Sequence, residues 1–195
     1  ATFIATTLGT IAALGLSRPH MPYKGLIMAI LISPMIVPLI ITAAGMFFFY
    51  ARINLVYTFT GVILAHVALA TPFVVITVTA TLVGFDMNMV KASQSLGARP
   101  VRTFFKVIMP LILPGIISGA LFAFITSFDE VVIVMFMASL DQLTIPKQMW
   151  AGIRQEISPV ILCMATCLVA LSIFLLTTVE ILRRRSERLR GIKSR

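Results

Sequence analysis

Charge is scarce in these 195 residues: 12% are Asp, Glu, Lys or Arg and 59% are hydrophobic, against about a quarter and about half in an average soluble domain. That balance excludes an ordinary soluble globule and reads as a polytopic membrane protein. Acids are scarcer still, with 7 Asp and Glu against 16 Lys and Arg, for a formal net charge of +9. The excess does not mark a nucleic-acid binder, because the basic residues stand at the ends of apolar runs and not in a patch interleaved with aromatics. Cysteine is limited to Cys163 and Cys167, four apart in an apolar run, and the pair reads as small buried hydrophobes. The only histidines, His20 and His66, lie far from them, so no metal site is expected and no redox compartment follows. Also missing are a Gly-x-x-x-x-Gly-Lys-[Ser/Thr] loop, a His-Glu-x-x-His helix and a Gly-x-Ser-x-Gly elbow. Each absence removes one route to catalysis. Any energy source for work done by this chain must therefore sit on another chain.

What is present is a series of apolar runs. Residues 25–50, 55–85, 109–137 and 157–182 are each long enough to cross a bilayer, which takes about 20 residues. The run at residues 1–16 is shorter and lacks the basic start and small-residue cleavage site of a signal peptide. It implies that the chain begins inside a helix, with an upstream segment outside this sequence. Pro34, Pro38, Pro72, Pro110 and Pro114 fall within or at the ends of these runs. In a membrane, neighbouring helices can satisfy the carbonyls that proline frees, so the prolines predict kinks and not strands. No repeat or low-complexity segment is evident.

Lys and Arg collect in short cytoplasmic loops. With the tail inside, the alternation places Arg18 and Lys24 inside, then Lys91, Arg99, Arg102 and Lys106, then Arg183, Arg184, Arg185, Arg188, Arg190, Lys193 and Arg195. Only Arg52, Lys147 and Arg154 are left outside, beside Asp141 and Glu156. The expected location is a membrane with a cytoplasmic C-terminus, and the whole chain, 1–195, reads as one transmembrane domain with a basic tail at 183–195.

The inside loop at residues 86–106 is too long for a simple turn and reads as two short helices meeting at a corner. Asn88 is a plausible N-cap for a helix over 89–96, Gly97 supplies a left-handed C-terminal position, and Pro100 suits the first turn of the next helix. Within the loop, Lys91-Ala92-Ser93-Gln94-Ser95-Leu96-Gly97 is followed after nine residues by Val107-Ile108-Met109-Pro110.

This spacing resembles the coupling loop of the permease subunits of binding-protein-dependent ATP-binding-cassette importers: Glu-Ala-Ala, three residues, Gly, nine residues, Ile-x-Leu-Pro. Ala92, Gly97 and Pro110 match, Ser93, Val107 and Met109 are near substitutions, and Lys91 stands where the family has Glu. If Asn88 is the cap, that Glu would close a capping box which Lys91 cannot. The resemblance implies an all-α transmembrane bundle of about five helices, the first truncated, with a short cytoplasmic coupling helix. It also implies ATPase contact through Lys91, Ala92, Ser93, Gln94, Leu96, Gly97, Ala98, Arg99 and Pro100. Implied partners are two ATPase subunits, a second permease subunit, a periplasmic or extracellular solute-binding protein and membrane lipid, with no nucleic acid. The chain itself would carry no cofactor, ATP and Mg being held by the ATPase. A loop of this kind could instead lie on lipid headgroups, with Arg99, Arg102 and Lys106 binding phosphates.

Asp129 and Glu130 lie inside an apolar run, eight residues before its end at Met137, or about 12 Å along a continuous helix. An acid at depth costs at least about 2.5–3.5 kcal/mol, which makes it a functional candidate by default. Ser127, Asp129 and Glu130 are the candidate lining of a pathway for a cation; the bland alternatives are pairing with a basic residue elsewhere or a helix that ends early. Ser127-Phe128-Asp129-Glu130-Val131, the stretch Leu143-Thr144-Ile145-Pro146-Lys147-Gln148-Met149-Trp150 and Glu156-Ile157-Ser158-Pro159 also resemble the polyamine branch of these permeases. That implies spermidine or putrescine as solute; another small solute (amino-acid-derived, phosphonate or iron) is the alternative. A secondary transporter would be expected to show internal repeats, and a scaffold subunit would not need the acids. Gly115-x-x-x-Gly119 predicts a close helix approach, more ordinarily within one subunit than between two, and His66 reads as an interhelical hydrogen bonder.

Overall fold

The computed structural model describes residues 1–18, 21–83, 85–155 and 159–189. Among them there are helices and no strands: α1 (Thr2–Leu16), α2 (Lys24–Ile36), α3 (Leu39–Arg52), α4 (Phe59–Val83), α5 (Met87–Ser95), α6 (Pro100–Thr103), α7 (Met109–Phe128), α8 (Val132–Met137), α9 (Ile145–Gln155) and α10 (Pro159–Leu189). A π-helical stretch, Phe104–Ile108, joins α6 to α7, and a 3-10 turn, Leu140–Gln142, precedes α9. The π stretch ends just before Pro110, whose ring has no N–H to give and would strike the carbonyl four residues back in a regular helix.

The helix α4 is the centre of the fold, packed against α1 and α7, which also touch each other. Small residues set the distance. A β-carbon at Gly119 would stand 2.5 Å from the Thr77 hydroxyl and 3.0 Å from the Val74 Cα, and one at Gly115 would collide with the Thr81 side chain. From α1, a β-carbon at Gly9 would stand 2.6 Å from Val74 Cβ. The Gly115–Gly119 pair thus serves contact within the chain. In the resulting core Ala5, Ala13, Val74, Val78, Ile112 and Ala123 are fully buried. Gly119→Val should overpack this contact by about 1–3 kcal/mol and lower the unfolding midpoint in detergent by roughly 2–10 °C. An unchanged midpoint would mean that the helices part without cost.

The apolar runs are less continuous than composition implies. Residues 25–50 form two helices, α2 and α3, bent by 106° at Val37–Pro38; Pro38 can neither donate a hydrogen bond nor leave Val37 helical. The run at 109–137 is likewise two helices, since α7 stops at Phe128 and α8 starts anew at Val132. The run at 55–85 is helical over Phe59–Val83, and the last helix begins at Pro159. Counting α1 and the bent pair, five segments make the bundle. The Glu156-Ile157-Ser158 stretch, His20 and the tail beyond residue 189 lie outside the described residues. Cys163 and Cys167 are exposed on α10 and not buried, because little of the chain covers that helix.

Helix directions follow from the contacts. Thr2 lies beside Ser127 and Phe128, while Leu14 and Leu82 pack on the same core as Ile108 and Met109. One end of the bundle therefore carries Arg18, Lys24 and the loop at 86–106, and the other carries Arg52 and Lys147.

Candidate functional site

At the loop end, the first helix begins two residues earlier than Asn88 would place it. Asp86 is the N-cap, its carboxylate accepting the Asn88 N–H at 2.9 Å. The third helical residue is then Met89, so position 91 lies outside any capping box and Lys91 forfeits no hydrogen bond there. The C-terminus follows the left-handed scheme: Gly97 has φ +79°, its N–H donates to Gln94 O at 2.9 Å, and Ala98 N–H donates to Ser93 O at 3.1 Å. These two bonds are those of a Schellman motif. Pro100 opens α6, and the Ser93 and Thr103 hydroxyls meet at 3.0 Å across the corner, with Thr103 itself buried. The result is a braced elbow continuous with α7. Lys91, Ala92, Gln94, Leu96, Gly97, Arg99 and Pro100 are exposed, and Ser93 and Ala98 half-buried. Leu96 is 88% exposed, a conspicuous apolar group on a polar loop. Between the two arms runs a groove of about 550 Å³ floored by Met89, Ala92 and Val107 and edged by Arg102 and Lys106.

The second cluster lies where α7 ends. His66, seven residues or about 10 Å into α4, meets the Ser127 hydroxyl through Nδ1 at 2.9 Å, as expected of an interhelical hydrogen bonder. Ile133 packs with Leu69, ten residues or about 15 Å in. Asp129 and Glu130 therefore lie between the end and the middle of the 25-residue α4.

The two acids have separate surroundings. Glu130 is 5% exposed; its oxygens accept the Ile133 N–H at 3.0 and 2.9 Å and the Val134 N–H at 3.3 Å. It is the side-chain cap of α8, satisfying amides that a buried helix start would leave orphaned. Asp129 is exposed and carries none of these bonds. It stands on the wall of two cavities. One, of about 580 Å³, is bounded by the bend between α2 and α3 together with Leu69 and Phe73. The other, of about 480 Å³, is bounded by α9 and α10, with Phe128, Met149 and Trp150 in its lining. Of the three candidate pathway residues, Ser127 is thus engaged by His66 and Glu130, which also borders the cavity at the α2–α3 bend, by α8; Asp129 is the exposed one and the one that borders both cavities. Two contributors escaped sequence reasoning. Asp86 competes with Asn88 as a cap of equal propensity. Lys147, whose Nζ donates to the carbonyls of Val134 at 3.2 Å and Ala138 at 3.4 Å, reads in sequence as a loop charge. Among the described residues no group of three or more His, Cys, Asp or Glu is placed to hold a metal ion.

The profile of the family described as "Binding-protein-dependent transport system inner membrane component" matches residues 5–188. The chain is 29% identical over 183 residues to the spermidine/putrescine transport system permease protein PotC of Haemophilus influenzae, a match covering 94% of this chain and 71% of that one. It is 30% identical over 170 residues to the putrescine transport system permease protein PotI of Escherichia coli K12, covering 83% and 60%. Among solved structures, an inward-facing conformation of the MetNI methionine ABC transporter superposes with a TM-score of 0.66, covering 99% of this chain and 91% of that chain at 20% identity. That likeness is one of fold.

Proposed function

Because this chain belongs to the family of inner membrane components of binding-protein-dependent transport systems, and so is a transport subunit and not an enzyme, we propose that it forms half of a pathway for a small organic cation of the polyamine type. The observation that carries this reading is the Asp129 carboxylate, set at depth on the wall of two cavities and free of the bonds that occupy Glu130. A fixed negative charge in a mostly apolar lining favours a cation and offers nothing to an anion. Relatives named as spermidine/putrescine and putrescine permeases agree with that chemistry.

The loop at 86–106 is the attachment point for a separate ATPase. Its exposed Leu96, its groove between basic edges and its braced corner support this assignment, because an element that transmits force must be both sticky and stiff. The loop end, with Arg18, Lys24 and the C-terminal helix, faces the cytoplasm by the distribution of Lys and Arg. A second permease subunit completes the pathway, a solute-binding protein delivers to the opposite end, and ATP and Mg reside on the two ATPase subunits. ATP then acts by favouring one access state over the other through the elbow.

The test is to purify the tagged chain from membranes expressing its neighbouring subunits and to measure labelled spermidine and putrescine uptake in proteoliposomes. An ATPase should co-purify, and uptake should require ATP and the binding protein. Uptake by this chain without the ATPase, or ATP-driven uptake of an anionic solute in preference to both polyamines, would overturn the reading.

A further inference from the structure

Lys147 belongs to a device at the other end of the bundle. The helix α8 has only six residues, about 9 Å, too few to be stable alone. Its position is set by what holds it. Glu130 holds the first turn through the Ile133 and Val134 amides. Lys147, in the first turn of α9, holds the last turn through the Val134 and Ala138 carbonyls. A negative group at the N-terminus and a positive one at the C-terminus both suit the helix dipole. The Met137 carbonyl also accepts the Tyr57 N–H at 2.9 Å, and the Tyr57 carbonyl accepts Gln142 Nε2 at 2.9 Å. Tyr57 sits at φ +61°, a conformation that a bulky residue adopts only where its surroundings over-determine it. The helix α9, with Ile145, Trp150 and Ile153 exposed, is thus fastened to α8 through Lys147, and α8 begins three residues after Asp129.

We propose that Lys147 is a positioning residue of the transport cycle. Through it, a load on α9 moves α8 and the Glu130 that caps it, and so shifts Asp129 relative to the two cavities. The ammonium acts on the α8 backbone and not on the solute, since it points at the carbonyls. This inference rests on the transport reading and on Asp129 as the group that meets the cation.

The test uses the transporter reconstituted with its ATPase, partner permease and binding protein. Labelled spermidine uptake is measured together with basal hydrolysis and its stimulation by loaded binding protein. Lys147→Met should lower maximal uptake and stimulated hydrolysis at least about tenfold, with KM for the loaded binding protein and basal hydrolysis within about twofold. Lys147→Arg, which keeps a donor of like charge, should retain most of both. Lys147→Cys, made with Cys163→Ser and Cys167→Ser and treated after assembly with 2-bromoethylamine to restore an ammonium of similar reach, should regain uptake. Normal maximal uptake in Lys147→Met, a loss confined to KM, no recovery on aminoethylation, or failure of every neutral variant to assemble would each overturn the proposal. A wild-type transporter that does not move spermidine would count against the transport reading and leave Lys147 to be tested with the solute it does move.

Discussion

Asp129→Asn is expected to reduce polyamine uptake at sub-saturating solute by about ten- to a hundredfold, while the transporter assembles normally and the binding protein keeps its affinity. The size follows from the bond removed: a hydrogen bond to a charged group contributes about 1.5–3 kcal/mol, and Asn retains the shape without the charge. Assembly should survive because the Asp129 carboxylate serves no helix end and is exposed in the chain. Glu130 supplies the contrast. Its carboxylate satisfies buried amides of α8, so Glu130→Ala leaves donors orphaned, at about 1–3 kcal/mol each, and should appear as reduced yield and a lower melting point. In Glu130→Gln the amide oxygen can still accept, and most of the stability should return. Uptake assays and thermal unfolding of the three variants separate the roles. Full uptake by Asp129→Asn would remove the carboxylate from the pathway.

The second large effect is expected at the elbow. Gly97 has φ +79° with nothing within 4 Å of the place a β-carbon would take, so a substitution there tests backbone conformation and not crowding. Gly97→Val should cost on the order of 1–3 kcal/mol in its present conformation and relax by opening the Schellman turn. The corner between α5 and α6 would then lose its set angle, while the membrane core, which does not touch Gly97, stays folded. Uptake should fall at least about tenfold, and hydrolysis by the ATPase should no longer respond to loaded binding protein. Gly97→Asn is the control, since Asn tolerates the left-handed region better than any β-branched residue; it should keep most of the coupling. Stimulated hydrolysis at the wild-type level in Gly97→Val would show that the corner angle carries no force.

The elbow was readable from sequence because its determinants are local. A glycine with a helical stretch before it and a proline three residues after it specifies a left-handed turn and a restart without help from distant residues. The relative direction of α1, α4 and α7 was also readable, since the basic residues cluster in alternate connections. The break between α7 and α8 was readable only as one alternative, a helix ending early at Asp129 and Glu130. Phe128, Asp129, Glu130 and Val131 include neither Gly nor Pro, and what stops the helix is Glu130 turning onto amides that exist only once α8 has packed against α3 and α4. The sharp bend at Val37–Pro38 lay hidden for a related reason: proline in a membrane predicts a kink, but 106° needs a neighbour to accept the bend, here α4 with Leu69 and Phe73 facing the cavity beside it. The cap at Asp86 instead of Asn88 was a choice between two good capping residues two positions apart, which propensity cannot rank. Lys147 looked like a solvated charge because its acceptors are backbone carbonyls of a helix that the apolar pattern did not resolve.

The division of labour between neighbouring acids bears on how such a protein changes its diet over generations. Position 130 is tied to architecture and needs a side-chain acceptor. On the proposed reading, position 129, one step back along the chain, answers to the cargo. A lineage adapting to a neutral or anionic nutrient would then rewrite that single codon without rebuilding the bundle.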